Sequence, residues 1–71
     1  MKIQVTPCDS MSDAIQWADA AGGRAILLGG KPVVVETKDA ERLEMARVEF
    51  AYLCDHEMPD GTHRIVSIPV N

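Results

Sequence analysis

The sequence predicts a small α+β domain with a mostly antiparallel sheet, in the element order β-α-β-β-α-β-β. Two stretches carry apolar residues at helical spacing. The other apolar runs are short, rich in Ile, Leu and Val, and bounded by Gly or Pro. A chain of 71 residues has room for one hydrophobic core only. We therefore expect a single domain over residues 1–71, with both helices packed on one face of the sheet.

The chain begins with a predicted strand and a predicted helix. Residues 1–6 alternate apolar and polar side chains, which is typical of a half-buried strand. Pro7 is expected to end this strand because proline cannot donate a ladder hydrogen bond. Asp9 or Ser10 offers an N-cap oxygen, and the apolar positions of residues 11–21 then recur at helical spacing. Two glycines follow, so we expect the helix to end there.

A hairpin is predicted next, from Arg24–Leu28 and residues 32–36. The Gly-Gly-Lys of residues 29–31 could instead belong to a phosphate-binding loop, which needs several backbone amides and a following helix N-terminus. Pro32 removes one of those amides, and a valine strand rather than a helix follows it. We therefore favour a two-residue turn with positive φ at both glycines.

The second half of the chain predicts a helix and a second hairpin. Residues 39–46 have acidic side chains at their start and one apolar face, as a helix requires. Residues 47–56 fit either a continued helix or a strand. We favour the strand because side chains with high β propensity alternate there. Residues 48–55 are then expected to pair with residues 63–70 across a turn that contains proline and glycine.

Four apolar residues predict a homodimer interface. Val33, Val34 and Val35 are consecutive, so their side chains point to both faces of the sheet. One helix layer covers one face only, and Trp17 lies beside the apolar stripe of the first helix. A second copy of the chain would cover this surface, although the second hairpin could also cover the open face within one chain.

The cysteines and histidines allow a metal site or a thiol enzyme, neither of which we favour. Cys54, His56 and His63 are potential zinc ligands near a hairpin end, but they lack the paired spacings of zinc sites. Cys8 precedes a helix N-terminus, a position that can lower a thiol pKa and support catalysis beside a histidine. A polar hairpin end and an unreactive cysteine are simpler interpretations. We therefore expect no cofactor, no metal and no enzymatic activity.

Charge and hydropathy limit the possible partners. The net charge of −4 falls entirely in residues 36–71, whereas residues 1–35 are neutral. Affinity for nucleic acid comes mainly from Lys and Arg, so the acidic half argues against DNA contact and the neutral half permits it. No apolar run is long enough for a membrane span, and two cysteines are too few for a secreted disulfide framework. We expect a soluble protein of the reducing cytoplasm.

The segment GGKPVVVETKDAERLE, residues 29–44, resembles the Gly-Lys-Pro-valine strand and Glu-Arg-Leu helix of the Phd/YefM antitoxins. An N-terminal strand, an amphipathic helix and a glycine before the hairpin also match in order, so the resemblance covers residues 1–46. It implies a dimer whose paired N-terminal segments bind operator DNA. It also implies a C-terminal tail that folds onto a toxin.

Two functional hypotheses follow, and both make the chain a non-catalytic binding protein. In the first, it is an antitoxin-like regulatory module whose N-terminal half contacts DNA phosphates and whose C-terminal hairpin binds a protein partner. The candidate DNA contacts are Thr6, Ser10, Ser12 and Arg24. In the second, the same scaffold is a stand-alone homodimeric interaction domain without a nucleic-acid role.

Overall fold

The computed structural model describes residues 2–71 and confirms the α+β class and the predicted order of elements. The elements are β1 (Thr6–Pro7), α1 (Met11–Ala21), β2 (Arg24–Leu28), β3 (Lys31–Val35), α2 (Thr37–Met45), β4 (Phe50–Glu57) and β5 (His63–Val70). The five strands form one antiparallel sheet in the spatial order β1-β3-β2-β4-β5. The sequence prediction is therefore right about the strands that form and about their antiparallel pairing.

The first strand is much shorter than predicted. Only Thr6 and Pro7 pair, with Val34 and Val33 of β3, whereas the prediction covered residues 1–6. Met1, the first residue of that prediction, lies outside the described residues. Continued, the antiparallel register would place Val5 opposite Val35, the last residue of β3, and the residues before Val5 beyond the end of β3, where the chain turns into α2. Those residues have no neighbouring strand, so they cannot extend the ladder.

Local signals set the ends of α1 and of the first hairpin. The Ser10 hydroxyl oxygen accepts a hydrogen bond from the Asp13 N–H at 3.1 Å, which confirms one of the two predicted N-caps. Gly29 and Gly30 have φ values of 61° and 78°, as the tight turn between β2 and β3 requires. Lys31 is the exposed first residue of β3. This Gly-Gly-Lys stretch is a hairpin turn, as favoured above.

The two helices lie on opposite faces of the sheet, so the prediction of both on one face is wrong. Val34 belongs to a buried cluster with Ala14 and Ala18 of α1, together with residues of β2 and β4. Its neighbours Val33 and Val35 point the other way. They belong to a second cluster with Ile26, Ala40, Leu43 and Phe50, to which α2 contributes two members. Each face of the valine strand is thus covered by a different helix of the same chain.

The strand interpretation of the segment after α2 is confirmed. α2 ends at Met45, and Arg47 adopts a left-handed φ of 58°, which breaks the helix. β4 then begins at Phe50 and pairs with β5 over eight residues, two residues later than predicted at each end of β4. β5 forms one outer edge of the sheet, and β1 forms the other.

Candidate binding surface around Trp17

Trp17 lies on the flank of α1, beside the stripe that faces the sheet. Ala14 and Ala18 are buried, whereas 55% of the surface of Trp17 is exposed. An indole exposed to this extent leaves apolar area in water and, beside a groove, can anchor a partner. Trp17 contributes to the walls of two neighbouring grooves.

The first groove lies between β1 and α1, and we call it the β1–α1 groove. Its volume is about 540 Å³, and its lining residues are Thr6, Pro7, Cys8, Asp9, Asp13, Gln16, Trp17 and Ala20. One wall is held in place by the pairing of β1 with β3 and by a hydrogen bond of 3.0 Å from the Cys8 N–H to the Pro32 carbonyl. The other wall comes from α1 residues at the spacings i, i+3, i+4 and i+7, which share one flank of a helix.

The second groove lies between the end of α1 and the start of α2, and we call it the α1–α2 groove. Its volume is about 530 Å³, and it shares Thr6 and Trp17 with the first groove. Its charged lining residues are Glu36 and Lys38, whose Oε2 and Nζ atoms are 3.4 Å apart. These charges offset each other within the chain, so this groove has little preference for a charged ligand.

The β1–α1 groove is negatively charged. Asp9 and Asp13 line it, and none of the described lining residues is Lys or Arg. The pKa of the Cys8 thiol is raised above its ordinary value, first by burial and then by the carboxylates of Asp13 and Asp9. This is the opposite of the lowered pKa that a helix N-terminus would favour. The field in the groove stabilises cations and disfavours anions.

The predicted DNA contacts do not form one surface. Thr6 lines both grooves, and the hydroxyl of Ser10 is occupied as the N-cap acceptor of α1. Ser12 lines a separate cleft on the same side of the sheet. The guanidinium carbon of Arg24 lies 4.3 Å from the centre of the Tyr52 ring, on the face that packs against α2. For all four residues to contact phosphates, one DNA molecule would have to reach both faces of the sheet.

Three of the four predicted interface residues are inaccessible to a partner. Val33, Val34 and Val35 are between 2% and 6% exposed in the single chain. The prediction assumed that one face of the sheet lacks a helix, whereas α1 and α2 cover both. Trp17 is the one member of the predicted set that remains exposed.

The three potential zinc ligands do not converge. Cys54 and His56 lie on the face toward α2, where His56 is directly opposite Arg64. His63 lies on the other face, and its Nδ1 is 3.0 Å from Oδ2 of Asp55. Among residues 2–71, no three His, Cys, Asp or Glu side chains are grouped so that they could hold a metal ion.

Asp9 and Asp13 of the β1–α1 groove are absent from the predicted sites. In the sequence, each is explained by the start of α1, as a possible N-cap or as a first-turn acid. The spacing of four between Asp13 and Trp17 is the local signal that puts a carboxylate and an indole on one flank. The opposite wall has no local signal, because it depends on the pairing of β1 with β3.

Comparison of the chain with protein-family models, curated proteins and solved structures gives no match. Within the described part of the chain, neither helix has the length and apolar character needed to cross a membrane. The functional argument therefore rests on the geometry of the grooves and on the residues that line them.

Proposed function

We propose that this chain is a small non-catalytic binding module that forms a homodimer and binds a protein partner, on a scaffold that resembles the Phd/YefM antitoxins. The observation that carries the proposal is the exposed Trp17 between two grooves on one flank of α1. Tryptophan is among the residues that are enriched as anchors of protein interfaces. The reducing cytoplasm is the proposed location, since Cys8 and Cys54 are both free thiols.

The geometry around the thiols and imidazoles supports binding rather than catalysis. Cys8 lines the β1–α1 groove, whereas His63 lines a different cleft and is paired with Asp55. A nucleophilic cysteine needs a lowered pKa or an adjacent base. Cys8 has a raised pKa, and its Sγ lies 3.7 Å from the Thr6 carbonyl oxygen as a weak donor. The raised pKa disfavours the thiolate of Cys8, which is the form that a nucleophilic cysteine needs.

Homodimerisation is proposed through the β4–β5 hairpin instead of the buried valines. Ile68 is 52% exposed, and Val66 and Val70 are half-buried on the same face of β5. Pairing of sheet edges is disfavoured, because Pro7 and Pro69 occupy the two outer strands and lack the N–H that a new ladder would need. The dimer is therefore expected to pack faces of the hairpin rather than to extend the sheet.

The test of the dimer is sedimentation velocity of the purified chain across a range of concentrations. We expect a species of twice the chain mass at about 10–50 μM that dissociates on dilution. A single monomeric species over the whole range would contradict the homodimer.

A DNA-binding regulatory role is the second candidate, because the resemblance implies it. Thr6 and Ser12 are exposed on the side of the sheet that carries α1, but Asp9 and Asp13 lie beside them. These carboxylates repel phosphates, so we expect at most weak binding of duplex DNA at low salt. A titration of labelled duplex DNA at two ionic strengths tests this role. Tight, salt-dependent binding would favour the regulatory function over the stand-alone interaction domain.

A further inference from the structure

The β1–α1 groove is large enough to admit a long side chain, and its composition suits a basic one. Its volume of about 540 Å³ lies in the range of small-molecule sites and is too small for a folded element. Pro7, Trp17 and Ala20 provide apolar lining, and Asp9 and Asp13 provide two carboxylates in the same space. This pairing of an indole with carboxylates matches the dual character of a long basic side chain, which has an apolar stem and a charged end.

Within residues 2–71, the carboxylates of the groove have no Lys or Arg among the residues that line it with them. The Lys and Arg ion pairs within residues 2–71 lie elsewhere, between Lys38 and Glu36 and between Arg42 and Asp39. The hydroxyl of Ser10 is bound to the backbone N–H of Asp13 and not to its carboxylate. Burial, and to a lesser extent the carboxylates of Asp13 and Asp9, raise the pKa of Cys8, which lines the same groove. A cationic ligand would supply the missing countercharge.

We propose that the β1–α1 groove binds an arginine side chain presented by a protein partner, with the guanidinium over the Trp17 ring and between the carboxylates of Asp13 and Asp9. Guanidinium is planar, stacks on aromatic rings and donates two parallel hydrogen bonds to a carboxylate. It therefore suits an indole ring beside two carboxylates better than an ammonium group does. The inference rests on the proposed protein-binding function and specifies the chemistry of the partner.

The partner binds through side chains rather than as an added strand. β1 is the outer strand beside the groove, but it pairs over two residues only and one of them is Pro7. A peptide that joined this edge would find few backbone donors, so the interaction energy comes from the arginine in the groove. The partner segment therefore needs an accessible arginine and has no requirement for an extended conformation.

The test follows the indole N–H resonance of Trp17, the single tryptophan of the chain, in two-dimensional NMR. The full-length protein is titrated with the peptide acetyl-AARAARAA-amide and with its matched peptide in which citrulline replaces arginine. Citrulline keeps the shape of arginine and removes its charge. We expect a saturable shift with the arginine peptide and an affinity at least about fivefold weaker with the citrulline peptide.

Two variants of α1 distinguish peptide binding in the groove from a general effect of the net charge of the protein. Asp13→Asn removes a carboxylate that lines the groove, whereas Asp19→Asn removes one on the same helix that does not line it. We expect Asp13→Asn to lower the affinity for the arginine peptide by about threefold to tenfold. Asp19→Asn should leave that affinity within about twofold of the wild-type value. Asp13→Glu keeps the charge, and it should retain binding even if Asp13→Asn weakens the start of the helix.

Each contrary result overturns a defined part of the proposal. Equal shifts with both peptides, or equal losses in Asp13→Asn and Asp19→Asn, would show that the groove does not select arginine. A saturable shift with duplex DNA in place of the peptide would assign the groove to nucleic acid. If sedimentation still shows a dimer while the arginine peptide gives no shift, the arginine site is wrong and the dimeric binding module stands. If both fail, the proposed function fails as well.

Discussion

Gly23 is the position where the fold leaves no room for a side chain. A Cβ atom built there would lie 2.5 Å from the Val35 carbonyl oxygen and 3.3 Å from Cγ1 of Val34. The nearer atom belongs to the backbone at the end of β3, so it cannot move without disturbing the sheet. Glycine therefore lets the connection between α1 and β2 lie directly against β3.

Gly23→Ala is expected to lower the free energy of unfolding by about 1–3 kcal/mol, because the new methyl group overpacks the end of β3. Urea denaturation measures the change. Gly22→Ala is the matched control, since no atom beyond its chain neighbours lies within 4 Å of a Cβ built there. Its expected loss of about 1 kcal/mol of unfolding free energy comes from the φ of 74° alone. A Gly23→Ala variant as stable as the wild-type protein would contradict the close approach.

Cys8 is expected to react slowly with iodoacetamide at pH 8, because its raised pKa reduces the thiolate fraction. The rate is measured in a Cys54→Ala background, which leaves Cys8 as the single thiol. Asp13→Asn should accelerate alkylation by about twofold to fivefold by removing one of the carboxylates that raise the pKa. The sign follows from charge: a carboxylate disfavours the nearby thiolate. An unchanged or slower rate in Asp13→Asn would mean that Asp13 does not act on the groove.

At the scale of elements, α2 covers the face of the sheet for which the sequence predicts no helix. Ala40 and Leu43 of α2 are buried against Val33 and Val35, whereas Met45 on the same helix is 86% exposed. The Tyr52 hydroxyl donates to Oε2 of Glu44 at 2.9 Å, which fixes the end of α2 over β4. The contact between α2 and the sheet is thus narrow and depends on a few side chains.

Leu43→Ala should therefore destabilise the fold strongly, because α2 has only nine residues and few of them contact the sheet. The expected loss is about 2–4 kcal/mol of unfolding free energy, because the surrounding residues cannot fill the cavity. Thermal or urea unfolding measures it. Met45→Ala on the same helix should change the stability by less than about 0.5 kcal/mol, since its side chain contacts mainly water. Equal effects of the two changes would show that α2 does not pack as described.

The sequence predicts the elements better than their arrangement, and the reason is physical. Ser10 as a helix cap and Gly29-Gly30 as a turn depend on neighbours in the chain, so their signals are local. The face covered by α2 is not local. Three consecutive valines offer no alternation that would show which face belongs to which helix. The sequence does not predict the candidate groove for the same reason, since one of its walls comes from β1 and the other from α1.

The whole molecule is elongated because the second hairpin is long. Its extents are 42, 23 and 19 Å, and β4 pairs with β5 over eight residues at one side of the sheet. α1 and α2 pack mainly against the central strands, so part of the hairpin surface remains available for contacts. Ile68, exposed on β5, lies in this region.

Ile68→Asp is expected to weaken the proposed dimer by at least about tenfold, because it places a charge where two hairpin faces would meet. Sedimentation equilibrium measures the dissociation constant, and circular dichroism checks that the monomer stays folded. Met11→Asp is the matched control, because Met11 is similarly exposed, at 42%, but lies at the start of α1. If Met11→Asp and Ile68→Asp have equal effects, the hairpin is not the dimer interface.

The Gly29-Gly30 turn also has a consequence for the order in which the sheet assembles. It joins β2 and β3, which lie inside the sheet between β1 and β4, and closing a two-residue loop costs less entropy than closing a long one. This hairpin is therefore expected to form first, with β4 and β5 adding on one side and β1 last on the other. Substitutions at the turn should then change the folding rate, whereas substitutions in β1 should change mainly the unfolding rate.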